Sequence, residues 1–427
     1  MVHRDYDITI IGGGISGLYT AFHILQSNKK LKLLLLEKDG RLGGRIHTYV
    51  DEQMHVEAGA GRIHSSHCLF LDLLQTCHLH KKLQTIQSAP YYIDSSTGYK
   101  YPENIGNKLI QTVIQYGKTT PDTELRQLSF IDFAAQILSS VETQYLKNSF
   151  GFSTELYYMN ACDAITLMKT LISMKPFYHL SGGLQQVVDA LVQRIQSLGG
   201  HIKCHCNVID VDRIPSLPQQ PNVTYKVEYK LTHGPSKNKK IVNTTTHCIF
   251  ALPKQCVQQF RFFQKMPLFQ HIYCGSLCRI YTKFRGGGAW FQHLSKFTTQ
   301  NDLRMVIPMN PVEGTMMISY SDNVYADRWF HLYNIHGMKK IKQRLRKLLA
   351  ETLAMEVPSL GATRIFYWDC GVGYWKVGAN SKEISRRIVK PWVDENLYIC
   401  GEHYSSQHQQ WVEGALETSA RVVKYFT

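Results

Sequence analysis

The 427-residue chain has no apolar run approaching the length of a membrane span. No charged segment followed by an apolar stretch precedes its first strand-like segment, which begins near residue 5. A soluble, cytoplasmic protein without a membrane partner is therefore expected. A disulfide framework is also missing: the eleven cysteines follow no framework spacing, which favours reduced thiols. "CHLH" (Cys77 to His80) and "CHC" (Cys204 to Cys206) each stand without a matching second pair, so no metal is expected. No internal repeat is visible. The formal net charge is +15, with local clusters at Lys237, Lys239 and Lys240 and in "MKKIKQRLRK". Such runs are usually solvated faces, and no nucleic-acid-binding motif accompanies them, so no nucleic acid partner is expected. The excess also argues against a strongly cationic surface partner. The sequons at Asn222 and Asn243 read as chance matches.

What the chain does have is glycine, early and closely spaced. In "DYDITIIGGGISGLYTAFHIL", residues 5 to 25, the run from Ile8 to Ile11 reads as a buried parallel strand, while Ile15, Leu18, Tyr19, Phe22 and Leu25 recur at helical spacing. The order is strand, tight turn, helix. Gly12 allows the turn, Gly14 lets a phosphate approach the backbone, and Gly17 lets the helix pack on the strand. The helix start, with Ser16 in its first turn, then offers free N–H groups to a pyrophosphate. A second apolar run, "KLKLLLLEKDG", ends in Glu37, about twenty residues past the last glycine, where a carboxylate meets a ribose 2′-OH. An acid there favours an adenosine ribose without a 2′-phosphate, and strand, turn, helix, strand and acid in this order point to a dinucleotide.

The length exceeds one ordinary core, so two domains are expected. Helical patterns dominate residues 122 to 200 and 335 to 356, and strand patterns dominate 201 to 252, 274 to 284 and 303 to 321. The loop-like stretches "RIPSLPQQPNVT" and "LTHGPSKNKK" flank the alternating "YKVEYKL", which predicts an exposed antiparallel hairpin. Near the end, "ENLYICGEHYSSQHQQWVEGALETSARVV" again reads strand, glycine turn, helix. A carboxylate at Glu402 could accept from a ribose or ribityl hydroxyl, and the small Gly414 and Ala415 could admit a flat ring or serve plain helix packing.

Four stretches besides the opening resemble the flavin-dependent amine oxidase family, which includes monoamine, polyamine and L-amino-acid oxidases. "GRLGGRIHT" (40 to 48) resembles its second glycine motif, with Arg41, Gly43, Gly44 and Arg45 against the FAD pyrophosphate. "HLSGGLQQVVDAL" (179 to 191), "THCIFALP" (246 to 253) and "LYICGEHYSSQHQQWVEGALETS" (397 to 419) follow in family order. The resemblance implies an α/β fold: a Rossmann-like FAD-binding domain of glutathione-reductase type assembled from residues 1–85, 200–260 and 365–427, plus a mixed α+β substrate domain from 86–199 and 261–364. It also implies cofactor contacts from Gly59, Ala60, Gly61, Arg62, Val208, Gly401, Glu402, Trp411, Val412 and Ala415, beside the glycines and Glu37. Glu57, in "VEAGAGRIH", resembles the family's strand end beside the flavin.

The implied reaction oxidises an amine to an imine, with O2 reoxidising the flavin to give H2O2. Trp411 and Tyr374 fall where the family places an aromatic pair before the flavin, although a buried aromatic is more often core. Gly373 stands where some monoamine oxidases attach FAD through cysteine, so non-covalent FAD is expected. The family's usual lysine position carries Arg279, which is planar, larger and never a base. Lys283, four residues on, lies on the same strand face about 13 Å away. Either Arg279 holds the water usually placed by that lysine, or reoxidation by O2 is slow. Arg62 falls where L-amino-acid oxidases carry an arginine that forks onto the substrate carboxylate; pairing with Glu57 or Glu402 is the other reading. Trp411 also resembles that branch. The expected function is oxidative deamination of an L-amino acid. A primary amine or polyamine oxidase, or a flavoprotein slow toward O2, are the alternatives, and the oligomeric state is open, a homodimer included.

Overall fold

The computed structural model describes residues 5–86, 90–215 and 223–427. Leu33–Leu36 is buried along its whole length, as a central parallel strand must be, and its neighbours explain why. β1 (Tyr6–Ile11) is followed by α1 (Ile15–Ser27) and β2 (Leu33–Leu36), and β1 pairs parallel with β2, Ile10 opposite Leu35. On its other side β1 pairs parallel with the strand Lys240–Phe250, Ile10 opposite Ile249. The C-terminal end of β1 thus opens between two neighbours reached by different crossovers, the switch point at which α/β sheets bind ligands.

The seven-stranded sheet runs His201–Lys203, β2, β1, Lys240–Phe250, Thr224–Leu231, Cys206–Ile214, with Leu397–Ile399 also parallel to Lys240–Phe250. The last three strands of the path are antiparallel, as the alternation in "YKVEYKL" predicted. The loop stretch at 216–222, with the Asn222 sequon, lies outside the described residues. One face is covered by three helices sharing a core: Leu18, Phe22 and Leu25 of α1, Leu191 and Ile195 of Gln185–Ser197, and Leu416 and Val422 of Val412–Val423. Burying each such side chain stabilises the fold by roughly 1.5–3 kcal/mol.

The second seven-stranded sheet follows the order Leu360–Trp375, Ile272–Phe284, Thr315–Asp322, Met305–Asn310, Phe297–Thr298, Tyr91–Ile93, Lys100–Tyr101. The helical segment Asn323–Leu353 lies on it, burying Trp329, Leu345 and Leu349 against Ile280 and Ile318. It begins a dozen residues before the predicted helix at 335, and Gly337, at φ +70°, breaks it into two. Short helices between 105 and 171 form a separate cluster around Phe130, Leu146 and Met168. Among the described residues no helix is long and apolar enough to cross a membrane.

The expectation of wholly reduced thiols is corrected. Antiparallel pairing of Ile272–Phe284 with Leu360–Trp375 places Cys274 opposite Gly373 and brings it to Cys370, 96 residues on, where the two form a disulfide with Cα atoms 5.2 Å apart. No local spacing could reveal a pair made by strand register. The other nine cysteines are free.

Candidate active site

A cavity of about 1010 Å³ opens from the end of β1 and runs between the two large sheets. At its first end the two glycine turns meet. Gly13 accepts the Gly43 N–H (2.8 Å), and Gly14 and Gly43 form a parallel bridge. Gly12 sits at φ +108°, and a Cβ there would press on the Ala251 carbonyl at 2.5 Å. A Cβ on Gly17 would overlap the Gly12 carbonyl oxygen, so Gly17 serves helix–strand packing and does not itself line the cavity. Gly14 differs, since the nearest atom to an added Cβ is Gly44 Cα at 3.9 Å, which leaves its face open to the cavity. No side chain caps α1, and its N–H groups are available to an anion.

Glu37 is buried, its Oε2 accepting the Gly13 N–H (2.7 Å) and its Oε1 the Asp39 N–H (2.9 Å). It anchors the first glycine turn while still lining the cavity. Arg41 clamps the second turn by donating to the carbonyls of Leu42, Gly44 and Ile46. Arg45 donates to the Gly371 carbonyl (2.9 Å) and to Glu402 Oε2 (2.6 Å). Glu402 Oε1 accepts the N–H groups of Gly373 (2.9 Å) and Gln410 (2.5 Å). Burial opposes its ionisation, but Arg45 and these N–H groups outweigh burial and hold its pKa below the ordinary value. Ser16, Gly43, Gly44, Gly59, Ala60, Gly61, Val208, Gly401, Val412 and Ala415 complete the same wall. A Cβ on Gly414 would overlap the His408 carbonyl, so packing explains that glycine.

The other end is lined by Arg62, Phe152, Glu155, Arg279, Tyr320, Asp322, Trp368 and Trp411. Arg62 Cζ lies 5.6 Å from the ring centroids of both Trp411 and Phe177. Among the described residues its guanidinium has neither hydrogen-bond nor ion-pair partner, because Glu402 is taken by Arg45 and Glu57 accepts from the Leu184 N–H and Thr48 Oγ1. Arg279 donates from Nη1 to the Glu57 carbonyl (3.0 Å) and from Nη2 to Tyr320 Oη (3.1 Å), while its Nε is buried without a partner.

One expectation meets a different arrangement. Tyr374 does not line the cavity; paired opposite Tyr273, it is 2% exposed and lies 5.1 Å from that ring and 6.1 Å from Tyr158. The strand pairing shifts register between Gly275 and Leu277, which breaks the alternation between the two positions: Tyr374 packs into the helical cluster, whereas Trp368, six residues earlier, reaches the cavity and donates from Nε1 to the Ala58 carbonyl (2.8 Å). Glu155, Asp322, Phe152 and Trp368 carried no motif and were not singled out. Cys274, Cys370 and His403 are the one group among the described residues whose metal-ligating atoms converge. Its sulfurs are joined, and His403 Nδ1 accepts the Lys254 N–H (3.2 Å), so Nε2–H faces the sulfurs. Burial holds His403 neutral, with its pKa lowered to about 4.

The first end fits a bound dinucleotide: an open face at Gly14, an uncapped helix start and an acid at the end of β2. Comparison with known proteins agrees. Residues 10–76 match the NAD(P)-binding Rossmann-like domain and residues 118–425 the flavin containing amine oxidoreductase family. The uncharacterized protein R188 of Acanthamoeba polyphaga mimivirus is 32% identical over 146 residues, 31% of this chain and 28% of that protein. The next two curated relatives are matched over only 22% and 14% of their own lengths. Flavin-dependent L-tryptophan oxidase RebO of Lentzea aerocolonigenes is 21% identical over 98% of this chain and 97% of that protein. Among solved structures, putrescine oxidase with bound putrescine has a similar fold, with a TM-score of 0.75 and 16% identity, covering 98% of each chain. With the family matched across most of the chain, the chain belongs to the flavin containing amine oxidoreductase family and has a mixed α/β fold.

Proposed function

We propose that the protein oxidatively deaminates an L-amino acid. The observation that carries this reading is Arg62: a guanidinium facing the cavity beside two mutually stacked aromatic rings, with no anion among the described residues to pair it. Burial lowers its pKa and Arg279 adds a like charge, so an anionic ligand relieves a cost that the empty cavity leaves in place. A carboxylate matches the guanidinium fork with two parallel hydrogen bonds. The full-length similarity to an enzyme named as an L-tryptophan oxidase supports the same class. A primary amine or polyamine is the alternative substrate, and it would leave Arg62 without an anion.

FAD, when bound, would supply the two-electron acceptor for oxidation at the amine-bearing carbon, with O2 as the terminal oxidant reduced to H2O2. The chain's part is orientation and electrostatics. Arg62 would hold the carboxylate, Trp411 and Phe177 would fix the plane of its guanidinium, and Trp411 would border the reacting carbon. Arg279, pinned by the Glu57 carbonyl and Tyr320, would act as a fixed positive post and not as a base. The glycine turns, Glu37, Arg41 and Arg45 would hold the dinucleotide, and Gly373 offers no thiol for a covalent link. We also propose the division into an FAD part (1–85, 200–260, 365–427) and a substrate part (86–199, 261–364). The split of most strands between two sheets supports it, although the helix Gln185–Ser197 packs on the FAD side and Leu360–Trp375 runs in the second sheet. Anaerobic titration tests the reading: L-amino acids should bleach the flavin, and Arg62→Ala should abolish this at the same concentrations. Bleaching by amines alone would overturn it.

A further inference from the structure

The proposed reading gives Arg62 a task but leaves a second buried charge-bearing group in the same cavity unexplained. Glu155 is 5% exposed, lines the cavity, and has its Oε2 buried without a hydrogen-bond partner. A buried carboxyl oxygen without a partner is unfavourable relative to water unless something pairs with it. Among the described residues no side chain does; the carboxyl has only its own backbone N–H. Arg62 is near enough to influence it, yet the two form no ion pair.

The position of Glu155 is fixed from behind. It lies on the π-helical turn Thr154–Tyr158, and the preceding backbone is tied to Asp322 at the end of the strand Thr315–Asp322. Asp322, itself 1% exposed, accepts the N–H groups of Ser153 (2.8 Å) and Thr154 (2.7 Å) and both their hydroxyls (3.1 and 2.6 Å). Asn323 Nδ2 adds a further donor (3.2 Å). The turn is therefore held rigidly with the Glu155 carboxyl facing the cavity, beside a second carboxylate whose lone pairs are already used. The cavity wall thus carries both kinds of group, Arg62 and Arg279 as cations and Glu155 and Asp322 as acids, with Lys296 near Arg62 behind the wall.

We propose that Glu155 receives a cationic side-chain group, an ammonium or guanidinium, on the same amino-acid substrate whose carboxylate Arg62 reads. The inference rests on the L-amino-acid reading and narrows it to basic side chains. A zwitterion with a basic side chain can place its carboxylate at Arg62 and its side-chain charge at Glu155. Both unpaired groups are then matched by one molecule. A neutral side chain would leave Glu155 as it stands.

The protonation state of Glu155 adds a second readout. Burial first, then the neighbouring Asp322, pushes its carboxyl up to about 8, so it is mostly protonated at neutral pH when the cavity holds no cation. The charged and titratable groups facing it are Asp322 and Arg62, with Arg279, Lys296 and Tyr320 behind Arg62. A cation seated against it favours the carboxylate, and binding releases a proton.

The test uses flavin-loaded protein and two dead-end acids that lack the α-amine, 5-guanidinopentanoate and its neutral isostere 5-ureidopentanoate. Binding is measured by calorimetry in buffers of different ionisation enthalpy. We expect the guanidino acid to bind roughly ten- to a hundredfold more tightly, the range for one charge-assisted hydrogen-bonded pair, with proton release at pH 7. Glu155→Gln should remove both the preference and the proton release while leaving ureido-acid affinity within a few-fold, and Glu155→Asp should retain part of the preference. Equal affinity for the two acids in the wild-type protein, or a preference that survives Glu155→Gln, would overturn the proposal. Butylguanidine and butylurea, which lack the carboxylate, report on Glu155 alone. A preference between them that Glu155→Gln removes, together with acid binding that Arg62→Ala leaves unchanged, would sink the carboxylate reading and keep the cation site.

Discussion

Removal of the Glu402 carboxylate is the perturbation that most directly probes how the closing segment of the chain is tied to the opening one. Its two oxygens accept from Arg45, Gly373 and Gln410, so Glu402→Ala strands one guanidinium and two backbone N–H groups at once. Breaking a buried ion pair from one side costs about 3–5 kcal/mol. The Arg45 side chain is 30% exposed and keeps the Gly371 carbonyl, which places the loss near the lower end, about 3 kcal/mol. With an unfolding entropy of about 2.1 cal/mol/K per residue, the whole chain has an entropy near 0.9 kcal/mol/K, and the melting temperature should fall by about 3 °C. Glu402→Gln keeps an oxygen for the two backbone N–H groups but turns an amide donor toward Arg45, so its loss should be smaller. Scanning calorimetry at several rates, on flavin-loaded and flavin-free protein, measures both. The sign with pH follows from the lowered pKa: the stabilisation is complete above the ordinary glutamate range and is lost as pH falls through the lower folded-state value. A melting temperature unchanged in Glu402→Ala, or equal acid sensitivity in variant and wild type, would refute the argument.

Two glycines of one turn should fail differently. Gly17→Ala forces a methyl into the Gly12 carbonyl oxygen and should destabilise the flavin-free protein by 1–3 kcal/mol or more, roughly, as core overpacking does. Gly14→Ala meets no protein atom closer than 3.9 Å, so the flavin-free protein should melt near the wild-type temperature while flavin content after purification falls. Thiol titration of the denatured, unreduced protein should find nine reactive cysteines, and eleven would show that Cys274 and Cys370 are not joined.

The dinucleotide end was readable because its geometry is set within a few residues of chain. Strand, turn and helix from Tyr6 to Ser27 follow from glycine spacing and apolar periodicity, and Gly43 of the second glycine turn bridges Gly14 of the first. Glu37 directly follows β2 and lines the cavity, but its hold on the Gly13 N–H is a backbone contact that no motif encodes. At the substrate end the informative contacts join distant segments. Glu155 faces the cavity because Asp322, 167 positions on, grips the residues before it. The Cys274–Cys370 pair comes from strand register, and the same register turns Tyr374 away while Trp368 reaches the wall.

Arg279 shows how the two ends constrain each other. Its guanidinium is tied to the carbonyl of Glu57, and the Glu57 carboxylate accepts the Leu184 N–H and Thr48 Oγ1 on the cofactor side. One short segment, Glu57 to Arg62, therefore carries a carbonyl that fixes one arginine and a side chain that presents another to the cavity. A lysine at position 279 would supply a compact charge on a flexible stem and could not bridge the Glu57 carbonyl and Tyr320 with the same planar geometry. Arg279→Lys should then loosen this segment and weaken acid binding through Arg62, although it restores the residue the family usually has there. If Arg279→Lys left affinity for 5-ureidopentanoate unchanged and only altered the rate of reoxidation by O2, Arg279 would act on the oxygen step alone.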